Sequence, residues 1–238
     1  IKVIVDNHYD GVEPSHNFLK PIAKFIHKFA YLNIVTNDNH KQLLRKYRAN
    51  AFVLPDKLPS FPNELYSIKP TPNQVLVIST FAKDEPYGEV FEAAKHLVQD
   101  NIHFYFTGNY KNKGIDQTNL PSNVHLMGYI PENKFLKAIF SATVIVDLTL
   151  MENCLVCGGY EAVAAGRPVV LSDMAVLRAY FSKGAVFCKN TAANIATSVL
   201  YAIKHSEQLQ VDVGDLKRDI NMEWPNTLAM LKGVAYRN

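Results

Sequence analysis

Met151-Glu152-Asn153-Cys154-Leu155-Val156-Cys157-Gly158-Gly159-Tyr160-Glu161-Ala162-Val163-Ala164-Ala165-Gly166-Arg167-Pro168-Val169-Val170-Leu171-Ser172-Asp173 is the stretch on which the reading of the chain turns. A glutamate opens it, a glycine pair follows, and a second glutamate stands where a helix is expected to begin, ahead of a proline-led apolar strand. Paired glycines let a backbone approach a ligand closely, and the free amides and dipole of a helix start favour phosphate. Two carboxylates therefore flank an anion-ready turn, which suits a nucleotide sugar.

Working outward, the same alternation of apolar strand and amphipathic helix continues on both sides. Strand-like runs occupy Val75 to Ile78, His103 to Phe106, Val124 to Met127, Thr143 to Val146, Pro168 to Leu171 and Ala185 to Phe187. Between them apolar residues recur at helical spacing, as in Val90, Phe91, Ala94 and Leu97, or Phe135, Leu136, Ile139 and Phe140. A helix is expected from Thr191 to His205 and a last one from Met222 to Tyr236, where Trp224, Leu228, Leu231 and Val234 form a stripe. Six strands alternating with helices predict a Rossmann-like, doubly wound parallel sheet in an α/β protein, with ligand at the carboxyl ends of the strands.

Upstream, a strand over residues 1 to 5 ends in Asp6-Asn7-His8, and a polar loop is expected to about Ser15. A helix over Leu19 to Tyr31, a strand over Leu32 to Thr36, a helix over Asn39 to Tyr47 and a strand over Ala51 to Leu54 follow. This is the pattern of a partial second Rossmann-like domain. Prolines at 55, 59, 62, 70 and 72 remove backbone donors and read as a stiff linker. The expected domains are therefore 1–58 and 59–238, with the helix at 222–236 packing back toward the first. The chain opens on a strand with no initiator methionine, which reads as a fragment with residues missing upstream.

Of the 238 residues 48% are hydrophobic, ample for a buried core, and a net charge of +3 is far from the basic density that nucleic acid requires. No apolar run has the length of a membrane span and no secretory leader is visible, so a cytoplasmic location is expected, with peripheral membrane association left open. Three cysteines exclude a disulfide framework. Cys154-x-x-Cys157 has neither a second Cys pair nor a His pair to complete a metal site, so these thiols read as structural.

Three further loops follow expected strands. Ser79-Thr80-Phe81-Ala82-Lys83-Asp84-Glu85-Pro86 offers hydroxyls and an ammonium that could serve a diphosphate, with Thr80 and Lys83 as its candidates. In Thr107-Gly108-Asn109, glycine permits a turn against a ligand, and Gly108 and Asn109 are the candidates; an ordinary turn explains the triplet equally well. Gly128-Tyr129-Ile130-Pro131 could sandwich a base between Tyr129 and Ile130. Glu161 reads either as a charge at a helix dipole or as an acceptor for ribose hydroxyls. No Gly-x-Gly-x-x-Gly, P-loop or Asp-x-Asp is present, which argues against nicotinamide, against P-loop chemistry and against a diphosphate-bound metal.

The second unit resembles the donor-binding domain of the GT-B glycosyltransferases, specifically the large retaining family 4 type. Glu161-Ala162-Val163-Ala164-Ala165-Gly166-Arg167-Pro168-Val169-Val170 matches that family's second glutamate and its Ala-x-Ala-x-Gly-x-Pro-Val-Val run. The resemblance implies that Glu161 binds ribose, that Gly158, Gly159 and the adjoining Tyr160 lie at the donor diphosphate, and that Glu152 contacts the transferred sugar. The two glutamates are nine positions apart here, against eight in the family. By the same resemblance the first unit is the rear of the acceptor domain, and His8 would face the donor sugar across the cleft.

The resemblance implies a sugar transferase of polysaccharide biosynthesis. It would use a UDP- or GDP-sugar, act with retention and without metal or other cofactor, and serve a glycan or lipid-linked acceptor. Peripheral membrane contact would come through the missing N-terminal part. A sugar-nucleotide 2-epimerase of the same fold, or a non-catalytic nucleotide-sugar-binding subunit, are the alternatives.

Overall fold

The structure is a computed structural model and describes residues 2–12, 14, 17–111 and 113–236, with the side chains of residues 9 and 10 excepted. Two compact units divide it: one comprises Ile1–Lys57, Asn153–Leu155 and Asp219–Asn238, the other Leu58–Glu152 and Val156–Arg218.

The first unit holds a three-stranded parallel sheet of β1 (Ile4–Asn7), β2 (Leu32–Val35) and β3 (Ala51–Val53), in that order. Two crossover helices connect them, α2 (Lys20–Phe29) and α3 (Asp38–Lys46). Asn37 caps α3, its side chain accepting from the His40 amide at 3.0 Å. Residues Tyr9–Val12 form a short helix, α1, where a loop was expected; the rest of that loop, at 13, 15 and 16, lies outside the described residues, as does Ile1 of the first strand.

The second unit holds six parallel strands: β4 (Gln74–Val77), β5 (His103–Thr107), β6 (Val124–Gly128), β7 (Val144–Asp147), β8 (Val169–Ser172) and β9 (Ala185–Cys188). Their order is β6-β5-β4-β7-β8-β9, so the chain winds outward from β4, returns, and winds outward again from β7. The Rossmann-like doubly wound sheet read from the apolar runs is this sheet. Its helices are α4 (Tyr87–His96), α5 (Glu132–Ser141), α6 (Cys157–Ala165), α7 (Ala175–Tyr180) and α8 (Ala192–Lys204). Strands β7 and β8 are buried along their whole length, as continuous apolar runs covered on both faces should be. Phe104, Phe106, Val144, Val146 and Val170 join α4 and α8 residues in one core.

Two expectations need correction. The proline-rich stretch is not only a linker: from Leu58 it belongs to the second unit, where Leu58 and Leu65 are buried. The buried Arg167 guanidinium donates to the Ile68 carbonyl at 3.0 Å and to that of Phe140 at 2.6 Å, which ties the stretch down. The last helix does not begin at Met222. A single helix, α9, runs Ser206–Ala235 and carries Pro225 inside it; its residues from Asp219 onward belong to the first unit. Leu209, Val213 and Leu216, buried at i, i+4 and i+7, form an apolar stripe that carries the helix through 207–218.

Candidate functional site

The carboxyl ends of β4 and β7 lie side by side where the direction of winding reverses, the switch point at which open α/β sheets take their ligands. Three segments meet there: the loop after β4, the end of β7, and the first turn of α6.

After β4 the chain turns tightly. Phe81 adopts a left-handed φ of 55°, a conformation that costs a non-glycine residue on the order of 1 kcal/mol. Its ring is buried against Tyr87 and Phe106, which holds it in place. Glu85 closes the loop. Its carboxylate accepts from the Ser79 hydroxyl at 2.5 Å, from the Thr80 hydroxyl at 2.6 Å and from the Thr80 amide at 2.9 Å. The Thr80 hydroxyl, a candidate diphosphate ligand by sequence, is thus engaged within its own loop. Lys83 is exposed, with no ion pair or hydrogen bond to its ammonium among the described residues.

The next loop explains its glycine in full. Gly108 has a φ of 89°, and a Cβ there would lie 2.0 Å from the Ser79 carbonyl oxygen. The residue is glycine because the ends of β4 and β5 touch at that point. Asn109 is exposed and its side chain accepts from the Lys111 amide at 3.2 Å. Beyond β6, Tyr129 is 88% exposed and Ile130 half-buried, leaving an aromatic face open to solvent at the rim of the sheet.

The helix read as beginning near Gly159 opens two residues earlier. The helix α6 starts at Cys157, so Gly158 and Gly159 stand in its first turn and Glu161 in its second. Gly158 is required by close packing, because a Cβ would come 2.5 Å from Asp147 Oδ2 and 2.8 Å from Ile78 Cδ1. A Cβ on Gly159 would come 2.6 Å from the Phe181 ring. Tyr160 is buried against Tyr180 and Phe181.

Asp147, the last residue of β7, was not singled out from the sequence. It is buried, and burial, with the charges of Glu85 and Glu161, pushes its carboxyl up to about 8 against the pull of the nearby Gly158 and Gly159 amide dipoles. Its only sequence signal is that an acidic residue directly ends a run buried on both faces. Glu161 is half-buried, and desolvation pushes it up to about 7. No hydrogen bond reaches its carboxylate among the described residues.

Glu152 is exposed in the loop between β7 and α6, outside any helix. The position eight before Glu161 is Asn153. It groups with the first unit, where its backbone carbonyl accepts from Asn37 at 3.0 Å and its side-chain oxygen from Asn39 at 2.9 Å. His8 follows β1 in the first unit, exposed, its Nδ1 3.8 Å from the Asp56 carboxylate. The structure thus brings the β4 loop, Gly158, Gly159 and Glu161 to one edge of one sheet, with Gly108, Asn109, Tyr129 and Ile130 on neighbouring strand ends.

Cys157 is exposed, and burial together with the Asp173 charge pushes Cys188 up to about 12. Among the described residues no group of three or more His, Cys, Asp or Glu could hold a metal ion, and no helix is long and apolar enough to cross a membrane.

Solved structures share this architecture. TarM of S. aureus superposes with a TM-score of 0.77 at 17% identity, over 99% of this chain and 50% of its own. Sucrose-phosphate synthase of Thermosynechococcus elongatus gives 0.70 at 16% identity, over 97% and 66%. HepE of Anabaena, solved in complex with UDP-glucose, gives 0.77 at 11% identity, over 98% and 72%. The chain thus spans half of TarM and 66% of the synthase. No curated protein matches the sequence. These likenesses establish the GT-B type of fold. The family model described as glycosyl transferases group 1 matches residues 63–215, more than half of the chain and nearly all of the six-stranded unit, and the chain belongs to that family.

Proposed function

We propose that this chain carries the donor half of a glycosyltransferase, which moves a sugar from a nucleoside-diphosphate sugar to a hydroxyl acceptor, with retention and without a metal. The observation that carries the reading is Glu161: a half-buried carboxylate with no protein donor, held on a helix at the switch point of the sheet. Leaving a carboxylate desolvated and unpaired is costly, and the two hydroxyls of a ribose are the donor pair that would relieve it. Tyr129, 88% exposed on the strand end beyond Gly108, offers a face for the base. Lys83, unpaired, is the cation available to the diphosphate. HepE, of the same fold, was crystallised with UDP-glucose, which makes a UDP-sugar the first donor to try.

In such a transfer the bond from the anomeric carbon to the diphosphate oxygen breaks as the bond to the acceptor oxygen forms, and the departing diphosphate takes the acceptor proton. The protein's contribution is positioning and charge stabilisation rather than a strong base.

A second reading, a nucleotide-sugar-binding subunit without transferase activity, is favoured by Asn153. It stands eight before Glu161, where the resembled family has its first glutamate, and its side-chain oxygen is engaged by Asn39. Glu152 next to it is exposed. Calorimetry with UDP, GDP and their sugars, followed by product analysis with and without added acceptor, separates the readings. Binding with transfer supports the first, binding without transfer or hydrolysis supports the second, and product from donor alone points to an epimerase. No binding of any nucleotide sinks all three.

A further inference from the structure

The pairing of β7 with β8 ends at Asp147 and Leu171, yet the chain beyond stays buried: Thr149 is 4% exposed, and its backbone N–H and C=O need partners. Two side chains take the place of a strand. The Thr149 amide donates to the Ser172 hydroxyl at 2.9 Å, and the Thr149 carbonyl accepts from the Asn190 side-chain amide at 2.8 Å. Ser172 and Asn190 also meet each other, the hydroxyl lying 2.8 Å from Asn190 Oδ1 and 2.9 Å from the Thr149 carbonyl. A hydroxyl has one proton to give. Sent to Asn190 Oδ1, it closes a ring in which the Thr149 amide, the Ser172 hydroxyl and the Asn190 amide each donate once and each acceptor is used.

What this ring grips is the start of the connection from β7 to α6. The Met151 amide donates to the Thr149 hydroxyl at 3.1 Å, and the Leu150 amide donates to the Asp84 carbonyl at 2.7 Å. Asp84 lies in the β4 loop beside Glu85, whose carboxylate gathers Ser79 and Thr80. Three successive amides are thus engaged, and one backbone hydrogen bond joins the two loops at the switch point. Ser172 ends β8 and is buried, Asn190 follows β9 and is half-buried, and their route to the β4 loop runs through Thr149 and Leu150. Resting on the nucleotide-sugar reading, we propose that Ser172 and Asn190 are positioning residues of the donor site: through the Thr149 backbone they lock the β7–α6 connection, and through Leu150 the β4 loop, in one arrangement before a ligand arrives. Folding then supplies the ordering of these loops, which raises affinity without a contact from either residue.

Loops and ligand can be read separately. Ser172→Ala or Asn190→Ala opens the ring, and amide hydrogen exchange at Leu150 and Thr80 should rise about tenfold while β4, β5 and α8 keep wild-type protection. UDP affinity, measured by calorimetry at a temperature where the variants are fully folded, should fall about tenfold. A residue that only supports the fold would lower the thermal midpoint and leave the folded protein's UDP affinity unchanged. Because either substitution breaks the same ring, the double variant should lose no more than about the larger single effect. Ser172→Thr, which retains the hydroxyl, should recover UDP affinity and slow exchange.

Folded variants that bind UDP as tightly as wild type would overturn the proposal. So would additive losses in the double variant, faster exchange confined to Thr149, or a Ser172→Thr protein no better than Ser172→Ala. If Ser172→Ala does not fold, Asn190→Ala, changed at a half-buried position outside the strands, decides the question alone. UDP that fails to bind wild type refutes the nucleotide reading instead, and exchange at Leu150 and Thr80 then decides whether the ring holds the two loops together.

Discussion

The two parallel sheets of this chain are stabilised by different physics. In the second unit the strands are packed with aromatic and β-branched side chains, and the buried residues of β7 and β8 are apolar until each strand's last position. In the first unit the interior around β2 is polar. Asn33, in mid-strand, is fully buried; its amide donates to the His27 and Asn50 carbonyls at 3.0 Å each, and its oxygen meets His27 Nδ1 at 2.9 Å. His27 Nε2 reaches the Gly11 carbonyl at 2.9 Å, and Asn7 spans the Val5 and Ile34 carbonyls at 3.1 and 3.2 Å. An apolar core resists mutation in proportion to the volume removed, whereas a polar core fails wherever one partner is lost and the other is stranded.

That contrast sets an order of expected effects. Phe106→Ala removes a fully buried ring from the apolar core and should cost about 3–5 kcal/mol, read as a fall in denaturant midpoint. A loss below about 1 kcal/mol would mean that this core is looser than its packing indicates. His27→Ala removes the 2.9 Å partner of Asn33 Oδ1, which keeps only the longer contact from the Asn7 amide at 3.4 Å, and that of the Gly11 carbonyl, and should cost about 1–3 kcal/mol. Amide exchange should rise across β1, β2 and α2 while β4 to β8 stay protected. Equal loosening of both sheets would refute the polar network as the local support of the first.

The next effect concerns Asp147. Because its folded-state pKa is raised, the folded protein keeps a proton that the unfolded chain loses near the ordinary value of 3.8. Stability from this group is full below that pH and is lost as pH rises through about 8. Glu161, raised to about 7, contributes a smaller fall of the same sign. Thermal midpoints should therefore decline between pH 5 and 8, and Asp147→Asn should remove most of the decline, a difference of about 2 kcal/mol or several degrees at pH 8. A variant that tracks wild type across this range would contradict a buried, proton-holding Asp147.

Much of the fold could be read from the sequence because each strand of the second sheet is a short apolar run bounded by polar or glycine punctuation, and the helices between carry clear stripes. The site was legible in part. The Glu161 to Val170 run marks the family, and Gly108 and Gly158 announced close approaches, in which the chain's own atoms take part. What could not be read depends on contacts distant in sequence. Nothing near Asp147 reveals that its carboxyl would pack against Gly158, eleven residues later. Thr80 looked free because its partner Glu85 is set by the turn at Phe81. The helix expected to begin near Gly159 starts two residues earlier, at Cys157, so that the glycine pair lies inside its first turn. Here the space taken by Asp147, Ile78 and Phe181 excludes any side chain at those two positions.

The most direct test of the account is the affinity of UDP and UDP-sugars for wild type and for Glu161→Gln at pH 8, where the Glu161 carboxylate is charged. The amide cannot offer two anionic oxygens to a ribose, so binding should weaken about tenfold or more in the variant, and wild-type affinity should fall as pH drops through about 7. Equal affinity in the two proteins, with wild-type affinity flat across that pH range, would contradict Glu161 as the ribose ligand.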